Sequence, residues 1–180
     1  EATQKEIIER LGKALEHEAH GSNNLTRMVE MAQVLAQKGG LNEPEAHALR
    51  LAVPLLDIGT SIVPKSILQK SSPLSDEEVF KIRQHAEFGY QILQDSSRPT
   101  IQMAAMLAKQ HHERWDGKGY PEGLKGEEID IRSRIATLVD VFDAQVNERP
   151  YKPAWAIDKV VAVLQEESGK HFDPQLVEYV

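Results

Sequence analysis

The 180-residue chain contains no cysteine. That excludes disulfides, thiolate metal sites and a cysteine nucleophile, so any bound metal must take nitrogen and oxygen ligands. No apolar run approaches the roughly 20 residues of a membrane helix, and no secretory signal pattern is present, which makes a cytosolic domain the expectation. Positive charge is also scarce, with 21 lysines and arginines against 28 aspartates and glutamates, a net charge of −7. This balance argues against non-specific binding to nucleic acid or anionic membrane, and an anionic substrate would need local charge from a metal or arginine. Strand-like alternation does not persist, and there is no internal repeat or low-complexity linker. Apolar spacing is helical throughout, so the fold class is all-α. The length suits one domain spanning 1–180, large enough to bury a core. Because the first residue is Glu1 rather than Met, the expectation is a fragment. Residues 1–20 then form an opening helix, at the end of a linker from an amino-terminal sensor or receiver domain.

Ile7, Leu11 and Leu15 recur at four-residue steps in that opening helix. The stretch from His17 to Leu25 breaks it, with Ser22 as a cap for the next helix. There Leu25, Met28, Ala32 and Leu35 form the buried stripe, and Gly39-Gly40 ends it. Asn24 projects from the inward face, either as a satisfied core amide or as the remains of a site. A third helix is expected over Glu43 to Ile58, with Leu49, Ala52, Val53 and Leu56 inward. Asp57, on the edge of that stripe, needs a partner such as a metal, a backbone donor or a cation, because an unpaired carboxylate there costs several kcal/mol. Residues 60–74 read as irregular loop. Ser75 and Glu78 make a capping box that opens a helix to Gln94, and His85 falls within its apolar face, as a satisfied core residue or a ligand.

Pro99 suits the first turn of another helix, which runs into His111 and His112. Ile131 to Val146 is helical again, with Asp140 and Asp143 sharing a face; capping of nearby backbone donors is the expected role of Asp143. Arg149 and Lys152 are two cations in a turn. Pro153 is expected to begin a helix carrying Val160, Val161 and Leu164, and Asp173-Pro174 opens a last one. His17, His47 and His171 have no pattern around them and read as solvated surface.

The most informative stretch is HHERWDGKGYPEGLKGEEI, from His111 to Ile129. Adjacent imidazoles suit zinc, manganese or iron. The following loop places Trp115, Asp116, Gly117, Gly119, Tyr120, Pro121, Gly123, Leu124 and Gly126 in a pattern beyond what a turn requires. Its glycines are expected to be there for loop geometry.

This motif, with RIATLVDVFDAQVNERPYK downstream, closely resembles the HD-GYP family of the HD phosphohydrolase superfamily, over about Arg27 to Asp173. The resemblance implies a helical bundle of about seven to eight helices with a GYP loop. It also implies a centre of two, sometimes three, iron or manganese ions, and hydrolysis of the bacterial second messenger cyclic di-GMP to pGpG or GMP. The family's metal ligands match Asp57, His85, His111, His112 and Asp140. Arg149 and Lys152 match residues near the ligand phosphates. Gly119, Tyr120 and Pro121 match a loop implicated in contacts with GGDEF-domain proteins.

The departures from the family pattern are clustered. The namesake histidine is Leu56, the second-helix histidine falls on Asn24, the lysine beside the metals is Thr60, and an acidic position falls near His20. One metal is thereby left with Asp57 and Asp140, whereas the other keeps Asp57, His85, His111 and His112. The expectation is a degenerate HD-GYP domain holding one ion or none rather than two. It would bind cyclic di-GMP or a related cyclic dinucleotide, or a protein, with absent or weak hydrolysis. The rival expectation is a working phosphodiesterase with an altered metal site.

Overall fold

Proline and glycine set the positions at which the helices stop and meet. The computed structural model describes the backbone of residues 2–20, 25–147 and 152–180, and side chains within 3–15, 25–147 and 152–180. The described residues form nine α-helical segments and no strand. These are α1 (Ala2–His20), α2 (Leu25–Lys38), α3 (Glu43–Ala52), α4 (Lys65–Leu68), α5 (Asp76–Leu93), α6 (Pro99–Gln110), α7 (Ile131–Val146), α8 (Ile157–Glu166) and α9 (Pro174–Val177). The expected Ser22 cap lies outside the described residues, as do Asn24 and Arg149 and the side chains of His17 and His20.

Local capping chemistry accounts for several boundaries. Ser75 accepts from the Glu78 backbone while Glu78 reaches back to Ser75, closing the expected capping box of α5. Asn42 and Glu45 close a second box at α3, which the sequence reading did not single out. Pro99 occupies the first turn of α6, where a missing N–H costs nothing.

Three boundaries differ from expectation. Helix α3 ends at Ala52, because Pro54 has no N–H for the Arg50 carbonyl; the chain tightens into a 3-10 turn over Val53–Leu55 and a second over Ile58–Ile62. Leu56 and Asp57 therefore lie between two 3-10 turns rather than inside a helix. The segment 60–74 is not wholly irregular, since it carries the end of the second 3-10 turn and α4. Helix α8 starts at Ile157, four residues after Pro153, with Ala156 as its cap position.

The core is built where α2, α3, α6 and α7 meet. Ala32, Leu35 and Ala36 face Leu49, Ala52, Leu107, Ile135, Leu138 and Val139 in one buried cluster. Alanine at so many inward positions lets helix axes approach closely, and each buried leucine stabilises the fold by about 1.5–3 kcal/mol. α5 lies along α6 and against the Ile58–Ile62 turn. That approach depends on glycine: a Cβ at Gly59 would stand 1.9 Å from the His85 carbonyl oxygen. The turn bearing Asp57 is thereby held against the helix bearing His85.

Asp143, expected to cap backbone donors, instead accepts from the Arg27 guanidinium at 3.1 Å and from the Asn147 amide at 2.9 Å, bracing α7 against α2. His47 is exposed as expected, whereas His171 is half-buried and its ring stacks on Phe172 at 4.3 Å. Burial of that imidazole, with the positive charge of Arg114 near it, pushes its pKa below the ordinary value.

Candidate metal centre

Asp57, His85, His111 and His112 converge from three separate parts of the chain, each offering a ligand atom within 4.8 Å of the others. Asp57 comes from the join between the 3-10 turns, His85 from the inward face of α5, and the two adjacent histidines from the end of α6. His111 Nε2 lies 3.3 Å from Asp57 Oδ1, and His85 Nε2 lies 3.8 Å from the same oxygen. His85 and His111 are buried, at 3% and 1% exposure. The Asp57 side chain keeps 34% of its surface, so the cluster opens to solvent on the carboxylate side.

Backbone contacts fix which ring nitrogen faces inward. His85 Nδ1 contacts the Ile82 carbonyl, and His111 Nδ1 reaches the carbonyls of Leu107 at 2.9 Å and Ala108 at 3.0 Å. In each ring Nδ1 donates to the helix, leaving the Nε2 lone pair turned toward Asp57. Both Nε2 atoms are buried without a hydrogen-bond partner. Such orphaned groups cost about 1–3 kcal/mol each unless something satisfies them, and a divalent cation does so for both at once. The donor set of three imidazoles and one carboxylate therefore fits a metal ion, with no cysteine required.

Mutual electrostatics act unequally on the four groups. Burial pushes the His112 imidazole well below its ordinary pKa, and the charges of His111 and His85 add to the effect. His85 is lowered by burial and then by His111. Burial works in the same direction on His111, but close contact with Asp57, its charge and that of Asp140 raise it above the ordinary value. For Asp57, burial acts upward and is overcome by the contact and charge of His111, then by His85 and His112, so the carboxyl is held well below the usual carboxylate range.

Asp140 is half-buried on α7, outside the four-residue group, and its negative charge reaches both His111 and Tyr120. Leu56 points into the apolar core at 2% exposure and offers no ligating atom. The Thr60 hydroxyl donates to the Asp57 carbonyl at 2.8 Å, so this position brings no cation to the cluster. The Lys152 ammonium lies over the Trp155 ring at 4.5 Å and donates to Gln145 near the end of α7.

The glycine-rich loop is bound tightly to the cluster. The Tyr120 ring stacks on His112 at 4.9 Å and 13°. A Cβ on Gly119 would stand 2.4 Å from the His112 carbonyl oxygen, so glycine is required there for close approach. Gly117, Gly123 and Gly126 instead have φ of +79°, +68° and +58°, the left-handed region glycine adopts at little cost. Pro121 is exposed at the loop tip.

Two supporting residues escaped the sequence reading. Glu113 is 1% exposed, and its carboxylate accepts from the backbone N–H of Glu122 at 2.7 Å and of Leu124 at 3.0 Å. The Thr137 hydroxyl donates to the His111 carbonyl at 2.9 Å from α7. A glutamate directly after the histidine pair was a visible signal for the first; nothing local marked the second.

An HD-domain family model matches residues 11–176. The cyclic di-GMP phosphodiesterase response regulator RpfG of Xanthomonas campestris is 40% identical over 179 residues, covering 99% of this chain and 47% of the relative. A cyclic di-GMP phosphodiesterase of Thermotoga maritima is 37% identical over 173 residues, covering 96% and 46%. A 3'3'-cGAMP-specific phosphodiesterase of Vibrio cholerae is 38% identical over 177 residues, covering 98% and 34%. The chain thus spans less than half the length of these relatives. In fold it is similar to the crystal structure of a cyclic GMP-AMP-specific phosphodiesterase of Vibrio cholerae, with a TM-score of 0.75 at 23% identity over 97% of this chain and 47% of that one. A protein of Bdellovibrio bacteriovorus described as HDG"Y"P gives 0.67 at 22% identity over 87% of this chain and 49% of that one.

Proposed function

The chain belongs to the HD-domain family, in its HD-GYP branch, and from that premise we propose that it is a cyclic-dinucleotide-binding domain of bacterial signalling with one metal ion and weak or absent hydrolysis. The observation that carries the reading is the asymmetry of the centre. Asp57, His85, His111 and His112 form a complete four-donor set, whereas the adjoining family position at Leu56 is apolar and buried and Thr60 brings no charge.

The ion we assign to the four residues is iron or manganese, both of which accept imidazole and carboxylate ligands. When bound, it would supply positive charge and Lewis acidity to a phosphoryl oxygen. The chain's own residues do the rest: Nδ1 contacts fix the rings, Tyr120 covers His112, and the open side of Asp57 admits the ligand. A second ion would have to rely on Asp140 and a share of Asp57, which is a weak set. Arg149 and Lys152 are assigned to the ligand's phosphates on the family resemblance.

A working phosphodiesterase is the second reading, favoured by the names of the relatives and by the completeness of the four-donor group. Exposed Pro121 beside Tyr120 offers a further surface, through which we propose contact with a GGDEF-domain protein. Calorimetry of the manganese-loaded protein with cyclic di-GMP, followed by assay for pGpG and GMP, separates these readings. Binding with little product supports the binding module; rapid turnover supports the enzyme. No heat at high nucleotide concentration would remove both in favour of protein contacts.

A further inference from the structure

Arg83 stands two residues before His85 on α5, with an exposed side chain. Its guanidinium carbon lies 4.9 Å from the centre of the Tyr120 ring. Tyr120 in turn stacks on His112, and its ring centre is 6.4 Å from that of His85. The guanidinium and the His112 imidazole thus both pack on the Tyr120 ring, and this column of contacts ends at the metal cluster. The described structure gives Arg83 this ring contact and no carboxylate partner. A guanidinium lying on an aromatic face still presents its edge N–H groups sideways, in a planar fork that matches two phosphate oxygens.

The charge balance around the cluster favours a further cation for an anionic ligand, beside the ion and the turn that carries Lys152. The whole chain carries a net charge of −7, and Asp57 and Asp140 add negative charge close to the site. Thr60 supplies no cation, and Lys109 on α6 is engaged with Glu122 at 3.0 Å and Glu87 at 3.9 Å. We propose that Arg83 is a substrate-binding residue, which grips a phosphate of the cyclic dinucleotide beside the Asp57, His85, His111 and His112 cluster, with Tyr120 as its platform. This assignment rests on the cyclic-dinucleotide reading above.

The test compares the manganese-loaded wild type with Arg83→Gln, Arg83→Lys and Lys81→Gln. Lys81 lies on the same helix, ion-paired with Glu77 at 2.8 Å, and its substitution removes the same unit of charge without touching the column. Calorimetry with cyclic di-GMP at low and moderate salt gives affinities, and elemental analysis gives metal content. Arg83→Gln is expected to weaken binding about tenfold or more, the worth of a charge-assisted fork, with a shallower salt dependence. Arg83→Lys should recover part of the loss, Lys81→Gln should bind like the wild type, and metal content should be equal in all four. Unchanged affinity in Arg83→Gln overturns the assignment while leaving the cyclic-dinucleotide reading intact. Loss of metal along with affinity in Arg83→Gln also overturns it, because the residue would then support the site structurally. Failure of the wild type itself to bind overturns the broader reading, and Arg83 with it.

Discussion

At the residue scale, the chemistry depends on groups that place other groups. Glu113 is the clearest instance, since a buried carboxylate here serves two backbone donors of the glycine loop. Its charge is compensated by hydrogen bonds from Glu122 and Leu124 rather than by a cation. Glu113→Ala would leave both donors without a partner, and a loss of about 2–3 kcal/mol is expected in urea unfolding. Glu113→Gln keeps one acceptor oxygen and should fall between the two. His171 gives a prediction about pH. Its folded pKa is depressed by burial, so the unfolded chain takes up the proton first as pH falls. The stability it supports is therefore full above the ordinary histidine pKa of about 6.5 and is lost as pH drops from there toward the lower folded value. His171→Gln should flatten part of the decline in unfolding free energy between neutral and mildly acidic pH; an unchanged slope would remove His171 as a contributor.

At the scale of elements, the centre is made by a close approach of two segments distant in sequence. Gly59 lets the 3-10 turn after α3 press on α5, which brings Asp57 to His85. Gly59→Ala should cost at least about 1–3 kcal/mol through overpacking and should weaken manganese binding by displacing Asp57. Normal metal affinity in a folded Gly59→Ala protein would contradict this account of the contact. Much of the local chemistry was legible in the sequence because it is local, the Asn42–Glu45 box being the exception. Ser75 with Glu78, and Pro99 in a first turn, act on neighbours a few residues away. Pro54 was equally visible, but the apolar stripe from Leu49 to Leu56 continues past it, and periodicity alone extends the helix too far. Helix α4 has only four residues, too few for any period to register. Gly59 and Thr137 could not be read as site supports, because their necessity arises only once α5, α6 and α7 are in place.

At the scale of the whole molecule, an HD-domain fold surrounds the four-donor group, and on our proposal the other half of a two-ion centre is missing. The motif from His111 onward identified the family, and Asp57, His85, His111 and His112 lie together in the fold. Whether the other half can be restored is a property of the bundle. Leu56 is part of the common core, so Leu56→His alone should cost about 1–3 kcal/mol in metal-free protein, with part of that regained on adding manganese. Combining it with Asn24→His and Thr60→Lys should raise metal occupancy and bring measurable hydrolysis. No rise in occupancy would show that these positions do not correspond to the family's ligands.

The central claim is that the centre holds one ion. Its most direct test is elemental analysis of the purified chain after anaerobic loading with excess manganese or iron and removal of free metal. One ion per chain is expected, lost in His111→Ala while the fold is retained by circular dichroism. Two ions per chain in the wild type would contradict the account.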